Sequence, residues 1–312
     1  MVGAGIVNPI MKGFAPKATL LVDFFNNIIY RAPEYYMNKR MVLTNNSYGA
    51  GSYCVPYSGE YSGYSGQADQ QLLDYPNMMH VFAAGNSGDL QCGNFPMGYR
   101  SIDNSFQAAK NVITVGGTSR DGLTNKFSRG PVNDGRIKPE ISGIGNNMLS
   151  TIMGNAYGSN QGTSMSAPQI TGALALVYER YRQLNGDIDP PGDLAKAIIC
   201  NTATDIGTKG VDFSTGFGWL NLQKAIAVVN DKSYRSGTVE NDKEQIIEIN
   251  LDKEVFDFKL MLYWHDQPSS YYTLKNLVND LDLTVTLPDG SVYDPFVLDT
   301  SATGVTKPAV MG

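Results

Sequence analysis

Apolar positions recur along this chain at two different periods, and the change from one to the other divides it. Up to about residue 230, short continuous apolar runs alternate with stretches of helical spacing. Runs at 19–22, 41–44, 80–84 and 110–117 run into Gly, Asn, Ser or acidic residues, as strands buried on both faces of a parallel sheet do. Residues 26–40 and 67–75 carry helical spacing, with Ile28, Ile29, Tyr35 and Met37 as core candidates in the first. Residues 51–66, rich in Gly, Ser and Tyr, read as a long surface loop, and 88–101, carrying Cys92 and Pro96, as another. The longest helical pattern, 164–184, sets Ile170, Ala173, Leu174 and Val177 on one face and stops at Asn185-Gly186. Proline belongs in a helix's first turn, so Pro168 places that helix's start near Ser164. Asp193 is read as the cap of a helix reaching about residue 202, and Asn221 as the cap of another reaching residue 229. Residues 1–6 are small and apolar with no cap before them. They read as the inside of a helix, so the chain's start is read as cut.

Past Asn230 the period falls to two. A polar stretch, 231–243, reads as a linker. Alternating runs follow at 245–251, 256–264 and 281–287, and Pro288-Asp289-Gly290 turns the chain back into 291–293. The pattern predicts a parallel-sheet α/β domain over residues 1–230 and an all-β module over residues 238–312.

Composition narrows the function classes. The chain has 312 residues, 42% hydrophobic and 17% charged, with a net charge of −6, which argues against nucleic acid or an anionic membrane as partner. No apolar run approaches the ~20 residues needed to span a bilayer, and the first residues lack the basic region of a signal peptide. Three cysteines, Cys54, Cys92 and Cys200, are too few for a disulfide scaffold.

Two segments carry candidate chemistry: Phe82-Ala83-Ala84-Gly85-Asn86-Ser87-Gly88 and Gly162-Thr163-Ser164-Met165-Ser166-Ala167-Pro168. In that order they resemble the subtilisin-like serine proteases (subtilases). The resemblance implies a three-layer α/β fold with a parallel sheet. It makes Ser164 the nucleophile of peptide hydrolysis. Asn86 would supply a side-chain N–H to the tetrahedral oxyanion, beside the backbone N–H of Ser164 at the positive end of its helix. Asn45-Asn46-Ser47-Tyr48-Gly49 follows a strand at the end where open α/β sheets bind ligands. By the resemblance Ser47, Tyr48 and Gly49 pair with the backbone of an extended polypeptide substrate, and Ala84, Gly85, Gly162 and Thr163 join them in substrate binding. Tyr48 and its apolar neighbours suggest room for large apolar side chains.

The family's order is Asp, His, Ser, and its histidine precedes a Gly-x-Ala-Pro turn such as Gly13-Phe14-Ala15-Pro16. The catalytic Asp and His are therefore expected upstream of Met1. His80 lies six residues before Asn86 on one extended run, roughly 20 Å away, and His265 belongs to the β module; neither is assigned as the base. Gln169 stands where the family usually has a histidine outside the catalytic set. Leu262-Tyr263-Trp264-His265-Asp266 and Val278-Asn279-Asp280-Leu281-Asp282-Leu283 resemble part of the C-terminal jelly-roll of some alkaline subtilases, so the module is read as incomplete. Relatives of that module commonly bind calcium, which makes Asp266, Asp280 and Asp282 weak candidates for a structural calcium site; the chemistry itself needs no cofactor. Relatives are mostly secreted, so the location expected by resemblance is secreted, cell-surface or periplasmic, with a propeptide or missing N-terminal segment as a further partner. In that setting a Cys54–Cys92 disulfide is expected, because both residues sit in loops after neighbouring strands, and Cys200 is expected to be a buried free thiol. The competing reading is a non-catalytic peptide-binding or structural relative that has lost its base.

Overall fold

The computed structural model describes residues 3, 5, 8–25, 27–51, 54, 58–123, 125–251, 258–271 and 273–312. Four strands, β1 (Leu43–Asn46), β2 (Met79–Ala83), β3 (Ile113–Thr118) and β4 (Ile141–Ile144), make one sheet in chain order, each neighbouring pair parallel. Every residue of β2 and β3 is buried, which is why both appear in the sequence as unbroken apolar runs. Helices α1 (Ile28–Lys39) and α2 (Gly63–Asp74) flank β1 in the chain, and the second supplies the crossover that a parallel pair requires. Of the core residues expected in α1, Ile29 is buried and Ile28 packs on the core. Met37 is 70% exposed, and Tyr35 instead gives its hydroxyl proton to Asp23. Helix α2 starts at Gly63, inside the stretch expected to be loop. No strand forms at 19–22, where Leu20, Leu21 and Val22 are exposed. Only Gly3 and Gly5 of the helix expected at 1–6 are described, and neither is helical.

Helix α3 (Thr163–Leu184) runs across the sheet and contacts all four strands. Its buried Ile170, Leu174, Val177 and Tyr178 join Val81, Phe82, Ile113, Val115 and Ile141 in the main core, and Ala173 is buried as well. It starts one residue before Ser164, which puts Pro168 beyond the first turn. A proline there cannot donate to the carbonyl four residues back, the carbonyl of Ser164. Ser47 Oγ fills the gap, donating to Ser164 O at 3.0 Å. Ahead of α3, an exposed hairpin of β5 (Met148–Ile152) and β6 (Ala156–Asn160) was not legible as apolar alternation, because it buries neither face. Helix α4 (Gly192–Asn201) is preceded by Pro191, and Asp193 lies inside its first turn rather than at the cap. Helix α5 (Leu222–Asp231) is capped by Asn221, whose side chain accepts from the N–H of Lys224 at 3.0 Å.

The remainder departs from the expected module. Residues 245–251 and 258–264 form no strand; residues 256 and 257 lie outside the described residues. Among the described residues of this region, antiparallel pairing is confined to β7 (Val285–Thr286) with β8 (Val292–Tyr293), and β9 (Phe296–Val297) with β10 (Val310–Met311). The turn at Pro288-Asp289-Gly290 forms as expected, Leu287 N donating to Ser291 O at 2.9 Å. Alternation marks faces but not partners, and strands this short bury little; Ile246, Ile249, Leu251 and Leu260 stay exposed. This region is nonetheless anchored. Lys110 Nζ donates to Asp266 Oδ2 at 2.7 Å, with both side chains buried, and to the carbonyls of Gln267 and Asn276. Asp266 also accepts the N–H groups of Val278 and Asn279 at 2.8 and 2.9 Å and Asn279 Nδ2 at 2.9 Å.

Candidate active site

Ser164 enters the site from the first turn of α3, and Ser47 from the residue after β1, an edge strand of the sheet among the described residues. The two hold each other. While Ser47 Oγ donates to the Ser164 carbonyl, Ser164 Oγ donates back to Ser47 O at 3.2 Å. Asn86 follows the carboxyl end of β2. Its Oδ1 accepts from the Thr163 N–H at 2.8 Å and from Thr163 Oγ1 at 3.3 Å, which fixes the side-chain amide beside the start of α3. Gly162 has φ +145°, a conformation side chains rarely adopt. A methyl group there would sit 3.4 Å from Asn86 Nδ2 and 3.6 Å from Ser164 N. Glycine thus keeps clear the approach to two N–H donors, the arrangement that stabilises a developing oxyanion.

These groups share a cleft of about 340 Å³ lined by Ser47, Tyr48, Gly49, Gly51, Ala83, Gly85, Asn86, Ser87, Asp103, Thr163 and Ser164. Six of the expected residues beside Ser164 therefore converge: Ser47, Tyr48, Gly49, Gly85, Asn86 and Thr163. Ala84 does not. It is fully buried, and its N–H and C=O are spent on Val115 O and Asp103 N. Tyr48 is turned inward: its hydroxyl donates to Asn46 Oδ1 at 2.9 Å, its ring packs against Phe25 and Phe82, and burial raises its pKa. Asp103 was not singled out from the sequence, where Ile102-Asp103-Asn104 looks like any polar loop. Burial pushes its pKa up to about 6.

Neither histidine lines the cleft. His80 is wholly buried in β2, with Nδ1 2.9 Å from Thr44 Oγ1 and Nε2 3.1 Å from Gln71 Oε1. Gln71 Oε1 can only accept, so the proton sits on Nε2, and Nδ1 accepts from Thr44. Burial, together with nearby His265, pushes its pKa down to about 3. Burial likewise pushes His265 to about 3. Both are neutral, His80 in the core and His265 part-buried.

The three weak calcium candidates are not brought together. Asp266 is occupied as described, Asp280 pairs on the surface with Lys275 at 2.6 Å, and no group of three or more potential metal-ligating side chains occurs among the described residues. Cys54 and Cys92 form a disulfide with Cα atoms 4.7 Å apart, and Cys200 is a buried free thiol. Among the described residues no helix is long and apolar enough to cross a membrane.

Comparison with known proteins gives the family. Residues 1–218 match the subtilase family, Peptidase S8. The C5a peptidase of Streptococcus pyogenes is 37% identical over 146 residues, 43% of this chain and 12% of that protein. An extracellular serine protease of Serratia marcescens is 29% identical over 167 residues, 47% of this chain and 15% of that protein. The chain thus spans a small part of the relatives it matches. Among solved structures, the patellamide maturation protease PatA superposes with a TM-score of 0.51 at 19% identity, over 67% of this chain and 70% of that one, a likeness of fold.

Proposed function

Because the chain belongs to the subtilase family, we propose that it is the nucleophile-bearing part of a serine endopeptidase acting on extended polypeptides. Ser164 attacks the carbonyl, Asn86 Nδ2 and the Ser164 N–H stabilise the oxyanion, and residues 47–49 pair with the substrate backbone. The observation that carries this reading is the convergence of Ser164, Asn86 and the Ser47 edge in one cleft, with Asn86 oriented by Thr163.

The hydroxyl of Ser164 has a resting acceptor, Ser47 O, rather than a base. Attack requires that bond to break and the proton to pass to a histidine. His80 is buried, His265 is part-buried, both are neutral, and neither lines the cleft, so the proposal takes the base from a histidine these 312 residues do not supply. By likeness to extracellular relatives, the protein is assigned to the secreted or cell-surface space, where the Cys54–Cys92 bridge persists.

The test is covalent labelling. In the protein isolated from its source, a fluorophosphonate should form one adduct, mapped by mass spectrometry to Ser164 and absent in Ser164→Ala. The 312-residue chain alone should label far more slowly, since triad enzymes without their base lose on the order of 10⁶ in turnover. An isolated protein that never labels at Ser164 would favour the non-catalytic peptide-binding reading.

A further inference from the structure

Asp103 sits where a carboxylate needs an explanation. Its backbone N–H donates to Ala84 O at 2.9 Å, which pins the residue beside the β2 terminus. Its carboxyl group then lies between the two strand-end loops that wall the cleft. A methyl group on Gly49 would come 2.3 Å from Asp103 Oδ2, and one on Gly85 2.4 Å from Asp103 Oδ1. Any side chain at either position would cover the carboxylate, so the two glycines leave it open to the cavity that holds Ser164 and Asn86.

Among the described residues this carboxylate accepts no hydrogen bond and forms no ion pair. Other enclosed acids each accept at least one hydrogen bond: Asp69 from Tyr61 and two backbone N–H groups, Asp134 from Arg136 and Asn276, Glu140 from Lys138 and Lys196, Asp212 from Ser214 and Thr215, Asp266 from Lys110. Enclosure makes a charged carboxylate costly unless it is paired or hydrogen-bonded. Asp103's immediate neighbours, Gly49, Gly85, Gln107 and Ser128, carry no charge. The missing partner is one that arrives through the cleft.

We propose that Asp103 selects substrates with a cationic side chain, lysine or arginine, on the residue whose carbonyl is presented to Ser164. The ammonium or guanidinium reaches between Gly49 and Gly85 and pairs with the carboxylate, while the carbonyl of the same residue stays at Asn86 and the Ser164 N–H. This replaces the expectation of large apolar side chains, because Tyr48 is committed to the wall behind the cleft. The upward push that burial gives the Asp103 pKa fits an acid awaiting a positive partner.

The proposal rests on the protease reading, so its test has two arms. In the first, the protein isolated from its source is given fluorogenic peptides identical except for arginine, citrulline, lysine or leucine at the tested position. Citrulline keeps the shape of arginine without its charge. The arginine and lysine peptides should exceed the citrulline peptide in kcat/KM by about 10–100-fold, the range for a hydrogen-bonded charge. Asp103→Asn should remove that preference, lowering kcat/KM on the arginine and lysine peptides by about 10–100-fold more than on the leucine peptide. In the second arm, agmatine, an arginine side-chain analogue, is titrated calorimetrically into the 312-residue chain and its Ser164→Ala and Asp103→Asn forms. The first two should bind it, and Asp103→Asn should not, with circular dichroism and thermal melts showing all three folded.

Agmatine binding without hydrolysis of any peptide would support the cation site and overturn the protease reading. Hydrolysis with no charge preference would overturn the proposal alone, as would equal loss on every peptide in Asp103→Asn, the mark of a general catalytic role. Absence of both binding and hydrolysis would overturn both.

Discussion

Replacing Asp266 by alanine tests how the C-terminal region is held. Its carboxylate receives Lys110 Nζ, two backbone N–H groups and an asparagine amide, all within 2.9 Å. Removal leaves the Lys110 ammonium buried with only two carbonyls, and orphans the N–H groups of Val278 and Asn279. Breaking a buried pair from one side costs ~3–5 kcal/mol, a large part of the 5–15 kcal/mol typical of whole domains. Lys110→Met should cost less, because the carboxylate keeps its three N–H donors. The double variant Lys110→Met/Asp266→Leu should fall short of the summed losses by ~0.5–3 kcal/mol. Urea unfolding followed by fluorescence reads these numbers as shifts in midpoint, and 1 M NaCl should change them little, since the pair is shielded from solvent. Burial works against ionisation of Asp266, but the hydrogen bonds from Lys110, Val278 and Asn279 outweigh it and lower its pKa. The stabilisation is therefore present above the ordinary carboxylate range and is lost as pH falls through and below it. A loss under ~1 kcal/mol for Asp266→Ala at pH 7 would refute the anchoring described here, since an exposed pair has that size.

Other consequences are equally open to measurement. Asp103 has a folded pKa near 6 against an ordinary 3.8, so its ionisation penalises the fold above about pH 6 and not below about pH 4. Asp103→Asn should thus raise stability at pH 8 by at most ~3 kcal/mol and leave it unchanged at pH 4, read by thermal melts. The Cys54–Cys92 bridge spans 38 residues, for which chain entropy gives at most ~4 kcal/mol; Cys54→Ser/Cys92→Ser should lower the urea midpoint accordingly. Ser47→Ala leaves the Ser164 carbonyl without the donor that Pro168 denies it, so it should cost ~1–2 kcal/mol. Adding Pro168→Ala should recover part of that loss by restoring the helical N–H.

The sheet and α3 were legible because burial on both faces writes itself as unbroken apolar runs and helical spacing. The cleft's Ser164, Asn86 and residues 47–49 were legible because their types and order are distinctive. Asp103 was not, since its role comes from two glycines distant in sequence that leave it uncovered. Nor was the fate of residues 245–251 and 258–264: alternation there is real, but among the described residues no partner strand meets it, and a period of two cannot supply one. His80 shows the reverse case, a chemically capable residue whose partners Thr44 and Gln71 make it part of the core.

Helix α3 carries Ser164 in its first turn while its body rests on β1, β2, β3 and β4. Proteins open in cooperative pieces, and the elements that touch the most core open last. The proposed nucleophile is thus mounted on a helix footed on all four strands, whereas residues 47–49, the wall proposed to pair with substrate, follow a strand at the sheet's edge among the described residues. Heat or denaturant should loosen the grip on substrate before it displaces the serine, so affinity should fade while the reacting groups keep their alignment.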